Sequence, residues 1–87
     1  MSEVYHQISE SVTVDNVTGD ISGCAVYPPS GVNTLCLGGG WNWAPNTNDP
    51  IDPPRVYQDG PAGGAWQVMF IANQTGSMNV YATFVEV

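Results

Sequence analysis

Apolar and polar residues alternate along this chain with a period of two, and no window carries the 3.6-residue stripe and capping signals of a helix. The period predicts an all-β domain. Val4, Ile8, Val12 and Val14 share one face of a first strand, with Tyr5, Gln7, Ser9, Ser11 and Thr13 on the other. His6 and Glu10 interrupt the apolar face, which marks residues 1–15 as a partly exposed N-terminal arm or exchanged strand. Removing residues 1–14 is then expected to abolish assembly while residues 16–87 stay folded as one domain.

After turn residues at Asn16-Val17-Thr18-Gly19-Asp20, Ile21 to Tyr27 reads as a second strand, closed by Pro28-Pro29-Ser30-Gly31. Val32 to Trp43 is a third extended stretch. The three glycines at its centre, Gly38, Gly39 and Gly40, require a bend or a close approach to the backbone. Ala44 to Pro54 holds four prolines and no period, so it is a long loop. Arg55 to Gln58 reads as a short edge strand, followed by turn residues from Asp59 to Gly64. Trp66, Val68, Phe70 and Ala72 then alternate with polar or partly covered positions, as do Met78, Val80, Ala82 and Phe84. The two runs predict a hairpin joined through Gln74 to Ser77, with Trp66, Val68, Phe70, Val80 and Phe84 in the core. Six such strands fit a compact antiparallel β-sandwich or flattened barrel.

Length and charge narrow the function. Eighty-seven residues suffice for one small core, and about 63% of the surface of so short a chain can leave water on folding. A crosslink, a partner or a homo-oligomer is expected to add to that. Eight acidic residues against one Arg give a net charge of −7. Nucleic acid and anionic membranes are therefore not expected as partners, because Lys and Arg drive both contacts. The N-terminus lacks the basic and apolar regions of a classical export signal, and no apolar run is long enough to span a bilayer.

The order of several short motifs is more telling than any one of them. Tyr27-Pro28-Pro29-Ser30-Gly31, Leu37-Gly38-Gly39-Gly40-Trp41, Gly60-Pro61, Ala65-Trp66-Gln67-Val68 and Val80-Tyr81-Ala82-Thr83-Phe84 follow one another over about residues 24–87. The series resembles a small β domain with the order C-P-A-G, LGGG, GP, GW-x-V and YA-x-C, found in secreted bacterial proteins and in phage virion proteins. In that pattern the two cysteines suggest a bridge, and their places are taken here by Tyr27 and Phe84. The resemblance thus implies a buried Tyr27–Phe84 aromatic pair in place of a covalent staple, and it carries over no catalytic residue.

Candidate chemistry is sparse. Cys24 and Cys36, on strands expected to be adjacent, fit either a relocated disulfide or two buried thiols, the latter being the commoner state of free Cys. With one His they cannot complete a zinc site. His6, the only imidazole, stands about 13 Å along a strand from Glu10, too far for a local acid/base pair. No nucleophile, phosphate-loop or metalloprotease motif is present, so no enzymatic activity and no cofactor are expected. Asn46, Asn48, Asp49 and Asp52 crowd oxygen ligands into one loop, but the Gly and bidentate Glu of an EF-hand are missing, and a rigid proline-held loop is the simpler reading. Asn16-Val17-Thr18 and Asn73-Gln74-Thr75 match the N-glycosylation pattern, which has meaning only in a secretory route. Trp41, Trp43 and Tyr57 fit either a sugar-stacking platform or, for the tryptophans, the core itself.

Together these features lead to the expectation of a non-enzymatic virion structural protein. The specific form is a decoration (cement) protein on the outer surface of a phage capsid, with the major capsid protein as partner and a homo-oligomer, a trimer first, as its state. Val4, Tyr5, His6, Ile8 and Val12 of the arm are the expected partner contacts. The alternative is an extracellular adhesion or carbohydrate-binding module, such as a tail-fibre or secreted cell-surface domain, using Trp41, Trp43 and Tyr57.

Overall fold

The computed structural model describes residues 3–87 and contains six strands and no helix. They are β1 (Tyr5–Val14), β2 (Ser22–Val26), β3 (Thr34–Pro45), β4 (Arg55–Ala62), β5 (Ala65–Ile71) and β6 (Gly76–Glu86). Two antiparallel three-stranded sheets result, ordered β1–β6–β3 and β2–β5–β4. They stack as a sandwich, with β1 over β2, β6 over β5 and β3 over β4. The long strands of the first sheet stretch the molecule to 50 × 22 × 17 Å. Its radius of gyration of 14.5 Å exceeds the roughly 12 Å of a compact domain of this length. The sandwich is elongated, not compact.

Alternation along β5 and β6 places Val68, Phe70, Met78, Val80 and Phe84 wholly out of water, with Val26 of β2 beside them. Four of the five expected core residues are therefore fully buried; Trp66, the fifth, packs partly buried against the cluster. The expected hairpin is not formed. β5 and β6 lie in opposite sheets and face each other as the central strand of each. A hairpin and a sheet-to-sheet crossover both satisfy the same period-two pattern, because alternation records which residues face the core and not which sheet they belong to. The true tight hairpin joins β4 to β5. Gly63 and Gly64 have φ of 58° and 86°, the two positive values of a two-residue primed turn, with Ala62 opposite Ala65. β4 thus runs through Asp59, Gly60 and Pro61, residues whose composition alone suggests a turn; Pro61 is tolerated because β4 is an edge strand.

The N-terminal segment also differs from the expected arm. β1 pairs with β6 of its own chain from Tyr5↔Val85 to Val14↔Gly76. Val14 is buried, and Ile8 and Val12 pack partly buried against the core. These three apolar groups are satisfied within the chain and are not free for a partner.

The triglycine has three separate jobs. Gly38, with φ of 149°, sits at the bulge where the β3 register shifts after Cys36. Gly39 faces inward, where a Cβ would lie 2.8 Å from the Trp66 indole and closer still to the Tyr81 carbonyl oxygen. Gly40 faces outward beneath the Tyr81 ring, and a Cβ there would lie 2.7 Å from Cζ.

Two outcomes follow from this packing. Gly39→Ala must displace backbone as well as the partly buried Trp66 indole and is expected to cost about 3 kcal/mol or more, whereas Gly40→Ala need only lift an exposed ring and should stay within about 1 kcal/mol of wild type in denaturant unfolding. Deleting residues 1–14 should abolish the cooperative thermal transition of the isolated chain, because it strips one flank of β6 and opens the core; a truncated protein that melts cooperatively would show β1 to be dispensable.

Candidate functional site

The outer face of the β1–β6–β3 sheet is the most distinctive surface of the molecule. Strand registers place its side chains in five cross-strand rows: Tyr5–Val85–Leu35, Gln7–Thr83–Gly38, Ser9–Tyr81–Gly40, Ser11–Asn79–Asn42 and Thr13–Ser77–Ala44. None of these is Asp, Glu, Lys, Arg or His, although the chain carries a net charge of −7. On so acidic a chain, a sheet face with no charged residue in its rows stands apart from the rest of the surface.

The face is graded along its length. At one end Tyr5 and Leu35 flank Val85 and reduce it to 9% exposure, while Leu35 itself is 57% exposed. Leu37, the unpaired residue of the β3 bulge, is 54% exposed next to this row. Val4 and Val87 are exposed near the two chain ends and Val32 on the loop before β3, where the Glu86 amide donates to the Val4 carbonyl and the Val87 amide to the Asn33 carbonyl. The far end carries hydroxyls and amides, with Asn79 Nδ2 donating to Asn42 Oδ1 at 2.9 Å. Tyr81, 52% exposed, stands between the two ends. Open depressions of about 360 and 430 Å³ flank its ring.

The structure scatters the residues singled out from sequence. Val4 and Tyr5 belong to the apolar end, and the Tyr5 hydroxyl donates to the Glu3 carboxylate. His6 turns to the other face of β1 and meets Glu86, Nε2 to Oε2 at 2.8 Å. Trp41 and Trp43 face inward and pack against the core; Trp43 meets Phe70 with ring centroids 6.1 Å apart and donates its Nε1 hydrogen to Gln74 Oε1 at 3.0 Å. Tyr57 is exposed in the other sheet, where Arg55 donates to its hydroxyl at 3.1 Å. Trp41, Trp43 and Tyr57 therefore share no exposed platform. Tyr27 is 70% exposed whereas Phe84 is fully buried, so the aromatic pair implied by the motif resemblance does not form.

Gln74, which the sequence placed only inside a glycosylation pattern and a connecting loop, anchors the proline-rich loop. Its Oε1 accepts from Trp43 and from the Asp52 amide at 2.9 Å, and its Nε2 donates to the Pro50 carbonyl. Asn73 Nδ2 adds a bond to the Pro53 carbonyl at 2.8 Å, and Thr75 donates to Asn46 Oδ1. Two of the candidate loop oxygens thus have internal partners, Asn46 Oδ1 and Asp49 Oδ2, the latter accepting from Thr47. Among the described residues, no cluster of His, Cys, Asp and Glu is arranged to hold a metal ion.

Cys24 is buried on β2 and Cys36 half-buried on β3. Contrary to the expected adjacency, these strands lie in opposite sheets and do not touch, so the thiols remain free. Burial raises the Cys24 thiol above its ordinary value of 9.0, and the Glu10 carboxylate raises it further. No protein-family model, curated protein or solved structure matches the chain.

A raised thiol pKa favours the protonated form in the folded state. Its contribution is whole below pH 9.0 and is lost as pH climbs through the folded value. At pH 8 a thiol reagent should therefore modify Cys36 in the native protein and both cysteines only in denaturant. Equal native reactivity of Cys24 in a Cys36→Ser variant would contradict its placement.

Proposed function

We propose that this protein is a non-enzymatic structural subunit that decorates a larger protein shell, the outer surface of a phage capsid. The observation that carries the reading is the apolar end of the uncharged face. Tyr5, Leu35 and Leu37 expose large side chains beside Val4 and Val87 on a molecule whose own core is already complete. Clustered exposure of that kind marks a surface that another protein covers. The virion assignment draws on the resemblance of the motif order to that of phage virion proteins, and the major capsid protein is the partner it implies. Acidity agrees with an outward position, since a subunit outside the shell does not neutralise packaged nucleic acid.

The docking residues differ from those expected of a free arm. Val4 and Tyr5 remain in the contact, Leu35 and Leu37 join it, and Ile8 and Val12 leave it because the core holds them. Multiplication of a small contact over many shell sites, with the subunit as a trimer at symmetry axes, supplies the binding strength.

Mass spectrometry of purified particles should find the chain at fixed stoichiometry with the shell protein. The double variant Leu35→Asp, Leu37→Asp should stay folded, as its side chains are solvent-facing, and should be lost from particles; retention of the folded variant, or absence of the wild type from virions, would overturn the assignment.

A further inference from the structure

We infer that the middle and polar end of the same face form a binding site for a neutral oligosaccharide, centred on Tyr81 and independent of the shell-docking reading. The geometry around Gly40 is the starting point. This glycine faces outward and takes no part in the core, yet any larger residue would collide with Cζ and the hydroxyl of Tyr81. Glycine weakens a strand interior, so its use here has no return in sheet stability. What it permits is an aromatic ring laid down across the neighbouring strand, with its outer side open to solvent.

Around that ring the polar groups converge. The depression of about 360 Å³ is lined by Gln7, Ser9 and Thr83 together with Ile8 and Ala82. Its neighbour of about 430 Å³ shares Ser9 and Tyr81 and adds Glu10, Ser11, Asn42 and Asn79. Each volume falls within the ~300–1,000 Å³ of small-ligand sites. A sugar ring presents an apolar C–H face and a rim of hydroxyls that donate and accept. Tyr81 matches the first, and the amides and hydroxyls match the second, each able to donate and accept as well. The Asn79–Asn42 hydrogen bond fixes both amides before a ligand arrives and leaves the Asn42 amide hydrogens and the Asn79 carbonyl for it. No cation lies among the lining residues, and Glu10 together with the net charge repels anions, so acidic sugars and nucleotides do not fit. Two depressions meeting at one ring suit consecutive units of a chain better than a single monosaccharide.

Heteronuclear NMR titration of the intact protein tests the site, with maltopentaose, cellopentaose and chitotetraose as neutral probes and tetragalacturonate as the acidic one. At least one neutral probe should give saturable shifts at Ser9, Asn42, Asn79 and Tyr81, with Kd near 1 mM, and tetragalacturonate should give none. Tyr81→Ala should weaken binding by about tenfold. Gly40→Ala keeps the ring but lifts it, and should weaken binding by about threefold with the thermal midpoint nearly unchanged. Absence of shifts with all three neutral probes at about 10 mM, undiminished binding by Tyr81→Ala, or equal binding of tetragalacturonate would each overturn the site. Incorporation of Tyr81→Ala into particles reads the docking function separately.

Discussion

Face-to-face contact between two central strands supports everything else in this molecule. Val68 and Phe70 of β5 meet the row of Met78, Val80, Ala82 and Phe84 on β6, and each fully buried side chain of this size contributes about 1.5–3 kcal/mol. The other four strands attach by backbone pairing to one of these two. β1 and β3 flank β6, and β2 and β4 flank β5. With no covalent crosslink between the sheets, their association depends on this apolar layer and on the loops that cross it. Gln74 strengthens one such crossing, since its side chain ties the indole of Trp43 to the proline-rich loop.

The glycine segment of β3 shows how one short stretch serves both sides of a sheet. Trp66 approaches Gly39 from the interior, and Tyr81 lies over Gly40 from the exterior. The indole N–H of Trp66 is buried without a hydrogen-bond partner among the described residues, a feature that costs about 1–3 kcal/mol. That the ring is held there regardless indicates how much apolar contact the Gly39 position provides. The bulge at Gly38 turns the strand so that Leu37 is left unpaired and exposed.

Charge is distributed with equal economy. The acidic residues stand on loops, edges and strand ends, while the outer face of the β1–β6–β3 sheet carries none across its five rows. The neutral face is where desolvation on contact is least costly. An apolar end and a hydroxyl-and-amide end give one surface two chemically different regions.

The all-β class, the six strands and the inward residues of β5 and β6 were legible in the chain, because period-two alternation reports burial directly. So was the need for a bend or a close approach at the three glycines, met by the bulge at Gly38 and by close approach at Gly39 and Gly40. What the pattern could not convey was pairing. The segment read as an arm proved to be an edge strand of its own sheet, and the pair read as a hairpin proved to be two strands in facing sheets. The same limit hid the site: Gln7, Ser9, Asn42, Asn79 and Tyr81 are dispersed over three strands and look like ordinary polar alternation until register aligns them. Sequence by itself determined which side chains leave water, since that choice is local and set by the chemistry of each residue. Only the tertiary structure decided which strands lie side by side, because backbone hydrogen bonds are alike at every position and take their specificity from packing across the whole sandwich.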